Sequence, residues 1–125
     1  MLSFLLRVFV GVLFFTLPGF AQEPSATQCL LWGPAYQLAA DTVEWSMSVG
    51  SGQSCVRGLR SAFVTLDTIK LVTPPKSGQV VLEGPAFVYK VDPDFHGEDS
   101  FAVLVSGKQN RVAGSSTIRV LVSVK

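Results

Sequence analysis

Phe87-Val88-Tyr89-Lys90-Val91-Asp92-Pro93-Asp94-Phe95-His96-Gly97-Glu98-Asp99-Ser100-Phe101 is the stretch that decides the fold of this chain. Phe87, Tyr89 and Val91 alternate with Val88 and Lys90, the period of two of a strand with two different faces. Asp92-Pro93-Asp94 then stops the ladder, because proline has no amide hydrogen to donate and the aspartates bond downstream backbone amides. Phe95, apolar inside a polar run, is expected to fold back and plug the edge of the core. Gly97 supplies a positive φ for the reversal. Phe101-Ala102-Val103-Leu104-Val105 begins a second apolar strand, with Asp99 and Ser100 fastening loop amides before it.

The rest of the chain repeats this grammar. Val43, Trp45, Met47 and Val49 point one way, while Glu44, Ser46 and Ser48 point the other. Trp45 is the expected central aromatic of the core. Near the end, Ile118, Val120, Val122 and Val124 face inward, and Thr117, Arg119, Leu121 and Ser123 face out. A short strand at 29–32 and a link at 35–40 precede these, and between them lie one or two strands in 62–73 with a bend at Leu66-Asp67-Thr68, and a strand at 79–83. Turn signals include Pro74-Pro75-Lys76-Ser77-Gly78 and Gly84-Pro85. About seven short strands with a turn every eight to twelve residues predict an antiparallel β-sandwich.

The spacing Tyr89-x-x-x-x-x-Phe95-x-Gly97-x-Asp99-Ser100-Phe101 resembles that of cadherin-like and immunoglobulin-like modules of bacterial surface and secreted proteins. The lead-in at 69–80 and the final strand at 116–124 resemble theirs too, so the likeness covers roughly residues 66–124. It implies an all-β sandwich with this stretch at the penultimate hairpin. For function it implies only a spacer, an adhesin or a carrier of other domains. Such modules usually occur in tandem, whereas this sequence shows one copy.

Residues 1–21 read as a secretory signal peptide: Arg7 is the lone charge, residues 8–17 are apolar, and small residues precede cleavage after Ala21. The apolar run is short for a spanning helix, which needs about 20 apolar residues. No membrane insertion is expected after cleavage. Residues 22–28 form a flexible mature terminus, and residues 29–125 one sandwich domain of ordinary size. A secreted or periplasmic location follows, with a monomer as the expected state. Without Arg7 the ten basic residues become nine, matching nine acidic ones. Such a neutral chain with no basic run argues against nucleic acid or an anionic membrane as the main partner. Cys29 and Cys55 in an exported chain predict a disulfide, since their spacing fits no common metal pattern and no C-x-x-C occurs.

Chemistry is sparse. His96 is the only histidine. A metal-dependent or hydrolytic enzyme built on it would need Asp92, Asp94, Glu98 and Asp99. The order of these residues is not that of a calcium loop, although weak calcium binding near Asp92, Asp94 and Asp99 stays open. No G-x-S-x-G elbow or phosphate-binding loop is present. The expected role is therefore non-catalytic, without cofactor or metal: a rigid sandwich that presents loops to a protein or glycan. The candidate loops are 50–60, carrying Arg57 and Arg60, and 106–114. Arginine suits such a surface because its planar fork binds carboxylates and stacks on aromatics. Trp32 and Tyr36, beside Cys29, are the candidate aromatic patch. Strand addition at an exposed sheet edge is the second binding mode.

Overall fold

The computed structural model describes Gly11 and residues 29–125. The signal peptide and the mature N-terminus assigned to 1–28 therefore fall outside the described residues, Gly11 apart. Eight strands follow in order: β1 (Leu30–Trp32), β2 (Asp41–Val49), β3 (Ser54–Gly58), β4 (Val64–Thr73), β5 (Gly78–Glu83), β6 (Ala86–Val91), β7 (Gly97–Gln109) and β8 (Val112–Val124). They form a five-stranded sheet, β1-β2-β8-β7-β4, and a three-stranded sheet, β3-β6-β5. The all-β sandwich predicted from the alternation is the fold.

The inward faces are those read from the sequence. Trp45, Met47 and Val49 of β2 and Ile118, Val120, Val122 and Val124 of β8 are buried. Phe87 and Tyr89 of β6 close over Phe101 of β7, Phe87 edge-on at 5.1 Å between centroids and Tyr89 stacked at 5.5 Å. Such aromatic pairs contribute about 0.5–1.5 kcal/mol beyond the area they bury. Phe95 packs against this core from the loop, and Gly97 has φ +138°. The expected bend at Leu66-Asp67-Thr68 is a β-bulge in a single continuous β4.

Two expectations about loops change. Residues 106–114 are a hairpin, but strand rather than loop for most of their length: β7 and β8 continue into them and turn through Asn110-Arg111, with φ of +49° and +67°. Positive φ at both central residues is the two-residue hairpin turn whose twist matches that of the strands. Gly107 and Gly114 pair across the hairpin. A Cβ on Gly107 would meet the Thr65 carbonyl oxygen at 2.0 Å, and one on Gly114 the Leu38 carbonyl oxygen at 2.1 Å. These glycines therefore serve close packing rather than a turn. Likewise, most of 50–60 is ordered: Gly50–Gln53 is a tight turn and Ser54–Gly58 is β3.

The β2–β8 pairing is parallel, in register from Asp41↔Ser116 to Val49↔Val124. The other pairings are antiparallel. β1 extends the same sheet through Leu30↔Ser48 and Trp32↔Ser46. Cys29, just before β1, is bonded to Cys55 of β3, with Cα atoms 5.4 Å apart. β1 and β3 edge different sheets, so this disulfide staples the two layers on their open side.

Candidate functional site

The four residues singled out as a binding surface part company in the fold. Tyr36 is buried, and its hydroxyl donates to the Leu59 carbonyl. Burial also raises its pKa. Tyr36 therefore belongs to the core, where its ring lies 6.5 Å from that of Trp45. Arg57 sits on strand β3 rather than in a loop, with its guanidinium 5.7 Å from the Trp45 ring centroid. A cation over an indole face is favourable by about 0.5–1 kcal/mol when exposed, which gives Arg57 a structural task. Arg60 is exposed in the β3–β4 connection. Trp32 is 58 % exposed on β1.

The Trp45 neighbourhood explains why the link at 33–40 runs where it does. The indole Nε1–H donates to the Pro34 carbonyl at 2.7 Å. A Cβ on Gly33 would stand 2.2 Å from Trp45 Cδ1, so only glycine lets the backbone approach this closely. The link thereby closes the side of the sandwich, and Trp32 is left pointing outward.

Register places Trp32, Ser46, Leu121 and Ser100 in one row across the outer face of the five-stranded sheet. Leu30, Ser48, Ser123 and Glu98 form the adjoining row. Leu30 is 73 % exposed and Leu121 37 %. Trp32, Ser46, Leu121, Ser123 and Glu98 line a shallow open depression. The result is a flat lane of serine hydroxyls bordered by an indole and two leucines. Sequence reasoning picked out Trp32 but not its neighbours, which come from three further strands.

The acidic residues around His96 do not gather into a site. Among the described residues no group of three His, Cys, Asp or Glu side chains is placed to hold a metal ion. His96, Asp92, Asp94 and Glu98 are exposed. Asp99 instead occupies the inward row of β7 opposite Val122 and accepts four hydrogen bonds. Three come from the Lys76, Ser77 and Ser100 amides at 2.9, 3.0 and 2.9 Å, and one from the Tyr89 hydroxyl at 2.8 Å. Burial alone would raise its pKa, yet these donors hold it below the usual carboxylate range. The Tyr89 pKa is driven up, first by burial, then by its bond to Asp99 and the charges of Asp99 and Asp92.

Asp99 is thus the clasp that ties the β4–β5 turn to the core. Asp99→Asn keeps the shape but replaces one acceptor oxygen with a donor. We expect a loss of about 2 kcal/mol at neutral pH, the scale of hydrogen bonds to a charged group, measured by urea unfolding. A folded-state pKa below the unfolded value means the stabilisation is complete above about pH 4 and fades as pH falls through the folded pKa. The acid side of the stability profile should flatten in Asp99→Asn, and an unchanged profile would refute the clasp.

Compared with known proteins, the chain matches no family model, and no curated protein matches it.

Proposed function

We propose that this chain is an exported, non-catalytic binding module of the immunoglobulin-like or cadherin-like kind, acting outside the cytoplasm on a protein or glycan partner. The observation that carries the reading is the outer sheet face with Trp32, Leu30 and Leu121 around the serine lane. Tryptophan at the centre of a contact patch is a common source of binding energy, and serine hydroxyls donate or accept as a partner requires. The disulfide one residue before β1 fixes this short edge strand, which lowers the entropy cost of ordering on binding.

Strand order supports the immunoglobulin-like part of the reading. β3-β6-β5 corresponds to strands B-E-D of that sandwich, and β8-β7-β4 to G-F-C. The departure is the disulfide, which joins β1 and β3 rather than B and F. The disulfide also supports a location outside the reducing cytoplasm.

The test is crosslinking of the protein in its native cell envelope from a photoreactive residue at position 46, in the floor of the lane, followed by mass spectrometry. A reproducible partner is expected, and Trp32→Ala should weaken it by roughly 30-fold, the scale of a central anchor residue. The melting temperature should stay unchanged. Crosslinks no different from those made at an exposed β4 position, or a partner indifferent to Trp32→Ala, would overturn the proposal.

A further inference from the structure

The opposite end of the sandwich carries a second exposed aromatic that the sheet face does not explain. Phe63, in the β3–β4 connection, is 82 % exposed and has φ +67°. A bulky residue in that region is strained, and such outliers persist where surrounding structure holds them. Here the Phe63 carbonyl accepts from the Asn110 amide at 3.4 Å, joining its loop to the β7–β8 turn. Val112, at the start of β8, is 67 % exposed beside that turn.

Around these apolar tips the fold assembles a basic ring that no run of the sequence displays. Lys108 and Arg111 border the same surface recess as Phe63. Arg60 borders the adjoining one, which shares Val64 and Thr65 with the first. All three cations are exposed, and none makes an ion pair among the described residues. The acidic groups at this end are few. They are Asp41, which accepts from the Ser116 hydroxyl at 2.6 Å, and the exposed Glu83 at the end of β5; Asp67 lies about 13 Å along β4 from Phe63. Asp92, Asp94, Glu98 and Asp99 lie at the other end, near the far terminus of β6 and the start of β7.

The chain's overall neutrality and lack of a basic run speak against an anionic membrane, but the fold gathers three cations locally. We infer that this tip docks on an anionic lipid surface, with Phe63 and Val112 entering the headgroup boundary and Arg60, Lys108 and Arg111 meeting lipid phosphates. A protruding aromatic ringed by unpaired cations matches the layering of an anionic bilayer, with charge at the phosphates and apolar groups beneath them. Arginine and lysine stems can lie along the apolar layer while their charges stay at the phosphates. The tip is about 30 Å along β7 from the Trp32 row, so the two surfaces act independently and this inference stands without the proposed sheet-face partner.

The experiment is cosedimentation of the protein as purified from cells, its N-terminus set by intact mass. The vesicles are of phosphatidylcholine alone or of phosphatidylcholine with phosphatidylglycerol. Binding is expected to the anionic vesicles, to fall steeply with added salt, and to weaken about 10-fold or more in Phe63→Ala. Lys108→Gln with Arg111→Gln should weaken it by roughly 5-fold per cation removed. Thermal melts of both variants should match the parent, since all three side chains are exposed. Equal affinity for the two vesicle types, or Phe63→Ala binding like the parent, would overturn the inference. So would soluble polyglutamate abolishing vesicle binding while itself binding Phe63→Ala as tightly as the parent, because the tip would then be a general polyanion site.

Discussion

Replacing Trp45 with alanine is expected to destabilise the fold by about 3–5 kcal/mol, the range for truncating a large buried aromatic. The side chain is 5 % exposed and joins the layers in several ways at once. Its indole N–H holds the 33–40 link through Pro34, its ring neighbours Tyr36, and Arg57 rests over it. Alanine would leave a cavity and free the Pro34 carbonyl, and Arg57 would lose its platform. Since domains of this size are stable by only about 5–15 kcal/mol, denaturant unfolding should show a much lower midpoint. A near-neutral result would mean that β2 does not present this face to the core. Trp32→Ala is the internal contrast, because its ring lies outside the core.

Opening the Cys29–Cys55 bond is the second large effect. It closes a loop of about 27 residues, and the chain-entropy estimate for such a loop is about 3–4 kcal/mol. The double substitution Cys29→Ala, Cys55→Ala should lose about that much in the same unfolding assay. Cys55 is almost wholly buried and packs against Met47, so alanine also removes core contacts. The protein recovered from cells should weigh two hydrogens less than after reduction. Free thiols in that sample would refute the staple in the cell.

The two long alternating segments make the fold legible in the sequence. Val43 to Val49 and Ile118 to Val124 each bury one face, and period-two patterning reports this directly. The connection at 106–114 reads as a hairpin loop, but the strand character of its outer half is hidden because Ser, Gly, Lys and Gln carry no apolar alternation. Its turn, Asn110-Arg111, lacks the glycine that usually marks positive φ at the second position. Pairing of β2 with β8 joins residues 41 and 116, and no local signal specifies that contact. The candidate surfaces were legible only in pieces. Trp32 and Arg60 stood out individually, whereas the serine lane and the ring formed with Lys108 and Arg111 exist only once distant strands are in register. Tyr36 misled because an aromatic beside a cysteine in an irregular link gives no sign of which way its ring turns.

The position of the disulfide also governs how tension would pass through the domain. With the bond open, a pull between the ends of the described chain loads β2 against β8. These run parallel, so nine register pairs from Asp41 to Val49 would be sheared together rather than unzipped one by one. With the bond closed, the covalent path crosses directly from Cys29 to Cys55 and bypasses the backbone of β1 and β2. The load on that path falls instead on β3, held to β6 by five register pairs from Ser54 to Gly58. Oxidation thus removes about 90 Å of extensible chain from the force path and moves the bearing element from one sheet to the other.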